Sequence, residues 1–108
     1  MFRIDPSRRD LAAEFKAKPF GPHSGELQRV LNLMRSQPLP GRHALLTLVP
    51  RREWALIRLG EARSGRFELV EGVRYQSPEQ AEWDVFKRRW EALTGEALDL
   101  DLRRDIRP

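Results

Sequence analysis

The sequence predicts an α+β fold in one small domain over residues 1–108: two N-terminal helices, an antiparallel β-hairpin open to a third strand, and a long C-terminal helix. Three observations carry that prediction. Leu27, Val30, Leu31 and Met34 stand at i, i+3, i+4 and i+7, the stripe that an amphipathic helix buries. His43 to Val49 is an apolar run too short for an independent helix and bounded by Gly41 and Pro50, which favours a strand. Ser77-Pro78-Glu79-Gln80 reads as a capped helix start, and Trp83, Phe86, Trp90 and Leu93 follow on one face.

Taken in order, Asp5-Pro6 reads as an N-cap with proline at the first helical position, and Leu11, Ala12 and Phe15 follow at helical spacing, giving a helix over about residues 6–17. Pro19 ends it, and Pro19-Phe20-Gly21-Pro22 forms a rigid turn carrying one exposed or inserted aromatic ring. Ser24 caps the second helix, which Pro38-Leu39-Pro40-Gly41 stops. Trp54 to Leu59 pairs with the His43–Val49 strand through Pro50-Arg51-Arg52-Glu53; residues 52–62 also admit a helical reading, and the hairpin is preferred. Ser64-Gly65 offers another turn, and Phe67-Glu68-Leu69 with Val73-Arg74-Tyr75 reads as an irregular third strand or extended arm broken at Gly72. Gly95 terminates the last helix. Beyond it Leu98, Leu100 and Leu102 alternate with Asp99 and Asp101, so residues 96–108 are expected as an extended tail outside a core of residues 18–95.

Composition narrows the function classes. There is no cysteine, which removes disulfides, thiolate nucleophiles and cysteine-ligated zinc and fits a reducing, cytoplasmic setting. No stretch approaches the roughly 20 apolar residues of a membrane span. The formal charge of +4 arises from 20 basic and 16 acidic residues, and 17 of the 20 are arginine. Because the signs alternate along the chain, no uniform basic face is evident, and nucleic acid is a disfavoured partner.

Nor does a reaction centre assemble. His23 and His43 are the only histidines and stand in no metal-ligand spacing. Ser7, Ser24, Ser36, Ser64 and Ser77 sit in cap or turn settings without a nucleophile elbow, and no glycine-rich phosphate loop is present. Glu79 with Glu82 suits a helix first turn better than acid/base work, and Asp99 with Asp101 alternates on the tail. Trp54, Trp83 and Trp90 are conspicuous, and for the last two a place in the core is preferred over an interface.

Read together, Pro19-Phe20-Gly21, Leu27-Gln28-Arg29-Val30 with Asn32, Arg35, Gln37-Pro38, Gly41, Arg52-Glu53-Trp54, Arg58, and Ala81-Glu82 through Val85-Phe86-Lys87-Arg88-Arg89 form an ordered series. It resembles the small (alpha) subunit family of N,N-dimethylformamidase over roughly residues 18–92. The segment after Gly41, rich in tyrosine in that family, is Arg42-His43-Ala44-Leu45-Leu46 here. The resemblance implies an accessory chain in a hetero-oligomer that hydrolyses dimethylformamide to dimethylamine and formate. It also implies that mononuclear iron and the catalytic residues belong to a larger subunit, so that this chain supplies no catalytic residue, cofactor or metal ligand.

The expected function is therefore docking on a larger, metal-dependent amide hydrolase, with a homo-oligomer left open. Arg29, Arg35, Arg58, Arg88 and Arg89 are the candidate carboxylate-pairing residues, and Phe20 and Trp54 the candidate apolar anchors. The competing expectation for each arginine is an internal salt bridge. The alternative function is a small arginine-rich nucleic-acid-binding or regulatory protein.

Overall fold

The computed structural model describes residues 2–37, 42–60 and 66–98. Six elements follow one another as α1 (Arg9–Ala17), α2 (Gly25–Ser36), β1 (His43–Val49), β2 (Glu53–Leu59), β3 (Phe67–Tyr75) and α3 (Pro78–Thr94). The architecture is α+β, with the hairpin extended to three strands. The expected tail beyond residue 98, the Ser64-Gly65 turn and the Pro38–Gly41 connection lie outside the described residues.

Helix α1 starts three residues later than Asp5-Pro6 suggests. The Asp5 carboxylate accepts from the Ser7 amide at 2.9 Å and from its hydroxyl at 2.7 Å, while the Arg8 amide donates to the Asp5 carbonyl at 3.0 Å. Asp5 thus closes a turn ahead of the helix instead of capping the helix itself. Ser24 does cap α2: its hydroxyl accepts from the Leu27 amide at 3.2 Å and donates to Glu14 at 2.7 Å, fastening the end of α1 to the start of α2. The helix ends where Gln37 turns extended, the conformation imposed on a residue before proline.

The strands form an antiparallel meander in the order β1-β2-β3. Leu45 faces Leu56 and Thr47 faces Trp54 across the first ladder. On the other side of β2, Ala55 pairs with Arg74 but Ile57 pairs with Leu69, so β3 carries extra residues in a wide bulge. Gly72 lies within it at φ +78°, a backbone region that side-chain-bearing residues avoid, which is why the sequence pattern breaks there. Helix α3 starts at Ser77, whose hydroxyl accepts from the Gln80 amide at 3.3 Å, and ends at the left-handed Gly95, whose amide donates to the Glu91 carbonyl.

Helix α3 is the middle layer, packing against α1 and α2 on one side and all three strands on the other. Its stripe of Trp83, Phe86 and Trp90 joins Leu11, Phe15, Leu27, Val30, Leu31 and Met34 in a helical cluster that Ile4 and Leu98 complete. A second stripe, Ala81 and Val85, meets Leu56 and Tyr75 in a sheet cluster flanked by Leu45, Trp54, Val70 and Val73. Trp83 and Trp90 are thus core residues. Among the described residues no helix is long and apolar enough to cross a membrane.

Candidate functional site

Two surface features stand out once the core is assigned, a charged cleft on the helical side and an apolar face on the sheet side. The cleft is bounded by the α1–α2 turn, by α2 and by α3, and has a volume of about 430 Å3. Ring stacking builds its floor. Phe15 and Phe86 stack with centroids 4.4 Å apart, and Phe86 in turn contacts Trp83 at 5.6 Å and Trp90 at 5.8 Å, within the range where aromatic pairs attract. His23 stacks on the outer side of Phe15 at 5.7 Å, and its Nε2 lies 2.8 Å from the Lys18 carbonyl, so the imidazole is fixed at the cleft wall.

Helical spacing aligns the polar wall on α3, because Glu82, Phe86 and Arg89 fall on one face. Arg89 donates from Nε at 3.2 Å and from Nη2 at 2.8 Å to the His43 carbonyl, tying α3 to the first residue of β1. Arg42 reaches back to the end of α2 and donates from Nη1 to the Arg35 carbonyl at 2.6 Å and the Gln37 carbonyl at 3.2 Å. It thereby satisfies carbonyls that the last helical turn leaves without a partner. Burial holds the Arg89 guanidinium below its usual pKa, with Arg42 and Arg35 adding repulsion and Glu82 opposing it. Burial likewise raises the Glu82 carboxyl above its ordinary value, against the pull of Arg89 and Arg35.

The sheet's other face has no layer upon it among the described elements. Since Leu56 points toward α3, strand alternation turns Ala55, Ile57 and Leu59 the opposite way. Their ladder partners share that face: Ala44 and Leu46 from β1, and Arg74, Leu69 and Phe67 from β3. Phe67 and Leu69 remain 48% and 45% exposed. Ala55 and Ile57, in the central strand, are buried between them and β1.

The sequence-derived docking residues do not form one patch. Phe20, Arg35 and Arg89 line the cleft, with Phe20 61% exposed at its rim. Arg29 instead lies over the Phe2 ring at 4.7 Å. Trp54 packs against the sheet cluster, and Arg58 pairs with Glu68 on the neighbouring strand at 3.7 Å. Arg88 donates to Asp84 at 3.0 Å, and Asp84 also accepts from the Tyr75 hydroxyl. Arg8 joins Asp10 at 3.0 Å and Glu26 at 2.8 Å, so much of the arginine content is engaged within the fold.

Sequence reasoning did not single out Glu82 as a cleft residue, nor the outward row of Leu46, Ile57, Leu69 and Phe67. The signal for the first was its spacing from Phe86 and Arg89; for the second it was the strict alternation of Arg66, Phe67, Glu68 and Leu69. Among the described residues no group of three His, Asp or Glu side chains is arranged to hold a metal ion.

The family model of the N,N-dimethylformamidase alpha subunit matches residues 4–99. The N,N-dimethylformamidase alpha subunit of Paracoccus aminophilus is 30% identical over 107 residues, an alignment that spans 95% of this chain and 74% of that protein.

Proposed function

Because the chain belongs to the family of N,N-dimethylformamidase alpha subunits, we propose that it is the non-catalytic small subunit of an amide hydrolase, docking on a larger, metal-dependent subunit in a hetero-oligomer. The observation that supports the docking role is the outward-facing pair Phe67 and Leu69 on β3, exposed at the edge of the sheet beside the half-buried Leu59 and the buried Ile57. A sheet with a helical layer on one side only among the described elements leaves these two side chains in water unless another surface meets them. Aromatic and aliphatic side chains at the centre of a contact contribute most of its affinity. Phe20, exposed at the cleft rim, and Arg35 extend the available surface to the helical side. Catalysis and iron are assigned to the larger subunit.

Native purification from the source organism tests this reading. A larger chain should co-elute in fixed stoichiometry, iron should follow that chain in elemental analysis, and dimethylformamide hydrolysis should need both. Leu69→Lys should abolish co-elution while leaving the circular dichroism spectrum unchanged. Hydrolysis by the isolated small chain, or its elution alone from native extract, would sink the proposal.

A further inference from the structure

The cleft carries more positive charge than its own residues neutralise. Arg35 and Arg89 line the cleft against the single lining carboxylate, Glu82, which feels both of them, and Arg42 stands beside them at the end of α2, adding to the repulsion on Arg89. None of the hydrogen bonds described in the cleft joins Glu82 to any of these arginines. Arg89 uses Nε and Nη2 on the His43 carbonyl, which leaves Nη1 as a donor. Arg42 uses Nη1 on the α2 carbonyls, and its Nε is buried with no acceptor. The Arg35 guanidinium is exposed and has no side-chain partner among the described residues. Below these charges lies the apolar floor of Leu31, Met34 and Phe86, and Phe20 stands open at the rim.

Resting on the small-subunit reading, we propose that this cleft receives an acidic segment of the partner polypeptide: a carboxylate pairs with Arg35 and the free Nη1 of Arg89 while a neighbouring apolar side chain seats on the floor beside Phe20. The excess of guanidinium over carboxylate selects an anionic occupant, because a basic one meets repulsion and a neutral one leaves the donors unpaired. Two forked guanidinium groups match a planar carboxylate better than they match a rounder anion. The depressed pKa of Arg89, caused by burial and by its cationic neighbours, is the electrostatic cost that such an anion relieves. Glu82 weakens the site when ionised, so Glu82→Gln should tighten it.

The probe is the capped dipeptide N-acetyl-leucyl-aspartyl amide, titrated into the isotope-labelled chain while arginine Nε–H and backbone amide resonances are followed. Saturable shifts are expected at Arg35, Arg89 and Phe20, with binding of the asparaginyl analogue at least about tenfold weaker. Arg35→Gln, which removes no hydrogen bond or ion pair among the described residues, should lose the carboxylate preference with a melting temperature close to that of wild type. Glu82→Gln should strengthen carboxylate binding. Equal binding of the two dipeptides, or equal binding of acetate and the aspartyl peptide, overturns the inference. If native complex forms but Arg35→Glu assembles like wild type and the peptide gives no selective shifts, the acidic-segment site fails while the small-subunit role stands. Selective peptide binding by a chain that recruits no larger subunit fails the role and keeps the site.

Discussion

His43 shows how one residue can link the sheet to α3 and make the link sensitive to pH. Its carbonyl accepts from Arg89, and its imidazole is half-buried, with burial and then Arg88, Arg58 and Arg89 lowering its pKa below 6.5 while Asp84 pulls the other way. A base depressed in the folded state contributes stability that is complete above its unfolded value and is lost as pH falls through the folded one. Urea midpoints should therefore decline from about pH 6.5 downward in wild type, and His43→Gln should lose part of that slope. Glu82, raised by burial, acts in the opposite sense at lower pH, so the difference between the two proteins isolates the histidine. An equal slope in both would refute the assignment. Sequence could flag His43 as the first residue of a strand, yet not its three cationic neighbours, which two distant elements bring together.

At the level of elements, α3 was the most legible, because both its ends carry local chemistry. Ser77 accepts from the Gln80 amide, Pro78 sits in the first turn, and Gly95 adopts φ +78°. Ser77→Ala should cost about 1 kcal/mol through the lost cap. Gly95→Ala should cost about 1–2 kcal/mol through the left-handed backbone. The helix separates these sites by about 25 Å at 1.5 Å per residue, so the two losses should add in a double variant when measured by denaturant unfolding. Clear non-additivity would mean that one end helps to hold the other. By contrast, α1 began late because Asp5 had two possible uses, and the turn closed by Ser7 took precedence. The apolar run of β1 was legible as a strand, yet its continuity did not say which face would be covered. Among the described elements one face of the sheet packs against α3, and which face that is depends on the register with β2 and the position of α3, neither of which is local to β1.

Across the whole molecule, the cleft was the least legible feature, since its walls come from residues 15, 35 and 89, joined only by tertiary packing. The arginine excess was visible at once, but its division between internal ties and free donors required coordinates. The central position of α3 gives the protein no independent halves. Removing Trp90 should cost about 3–5 kcal/mol, and that loss should lower the protection of sheet amides as much as helical ones, because each cluster borrows a wall from the same helix. Hydrogen exchange on Trp90→Ala would read this directly; sheet amides that keep wild-type protection would contradict it. A partner gripping the outer strands would then slow solvent exchange on the far side, at α2, without touching it, because opening either core cluster loosens the helix that both share.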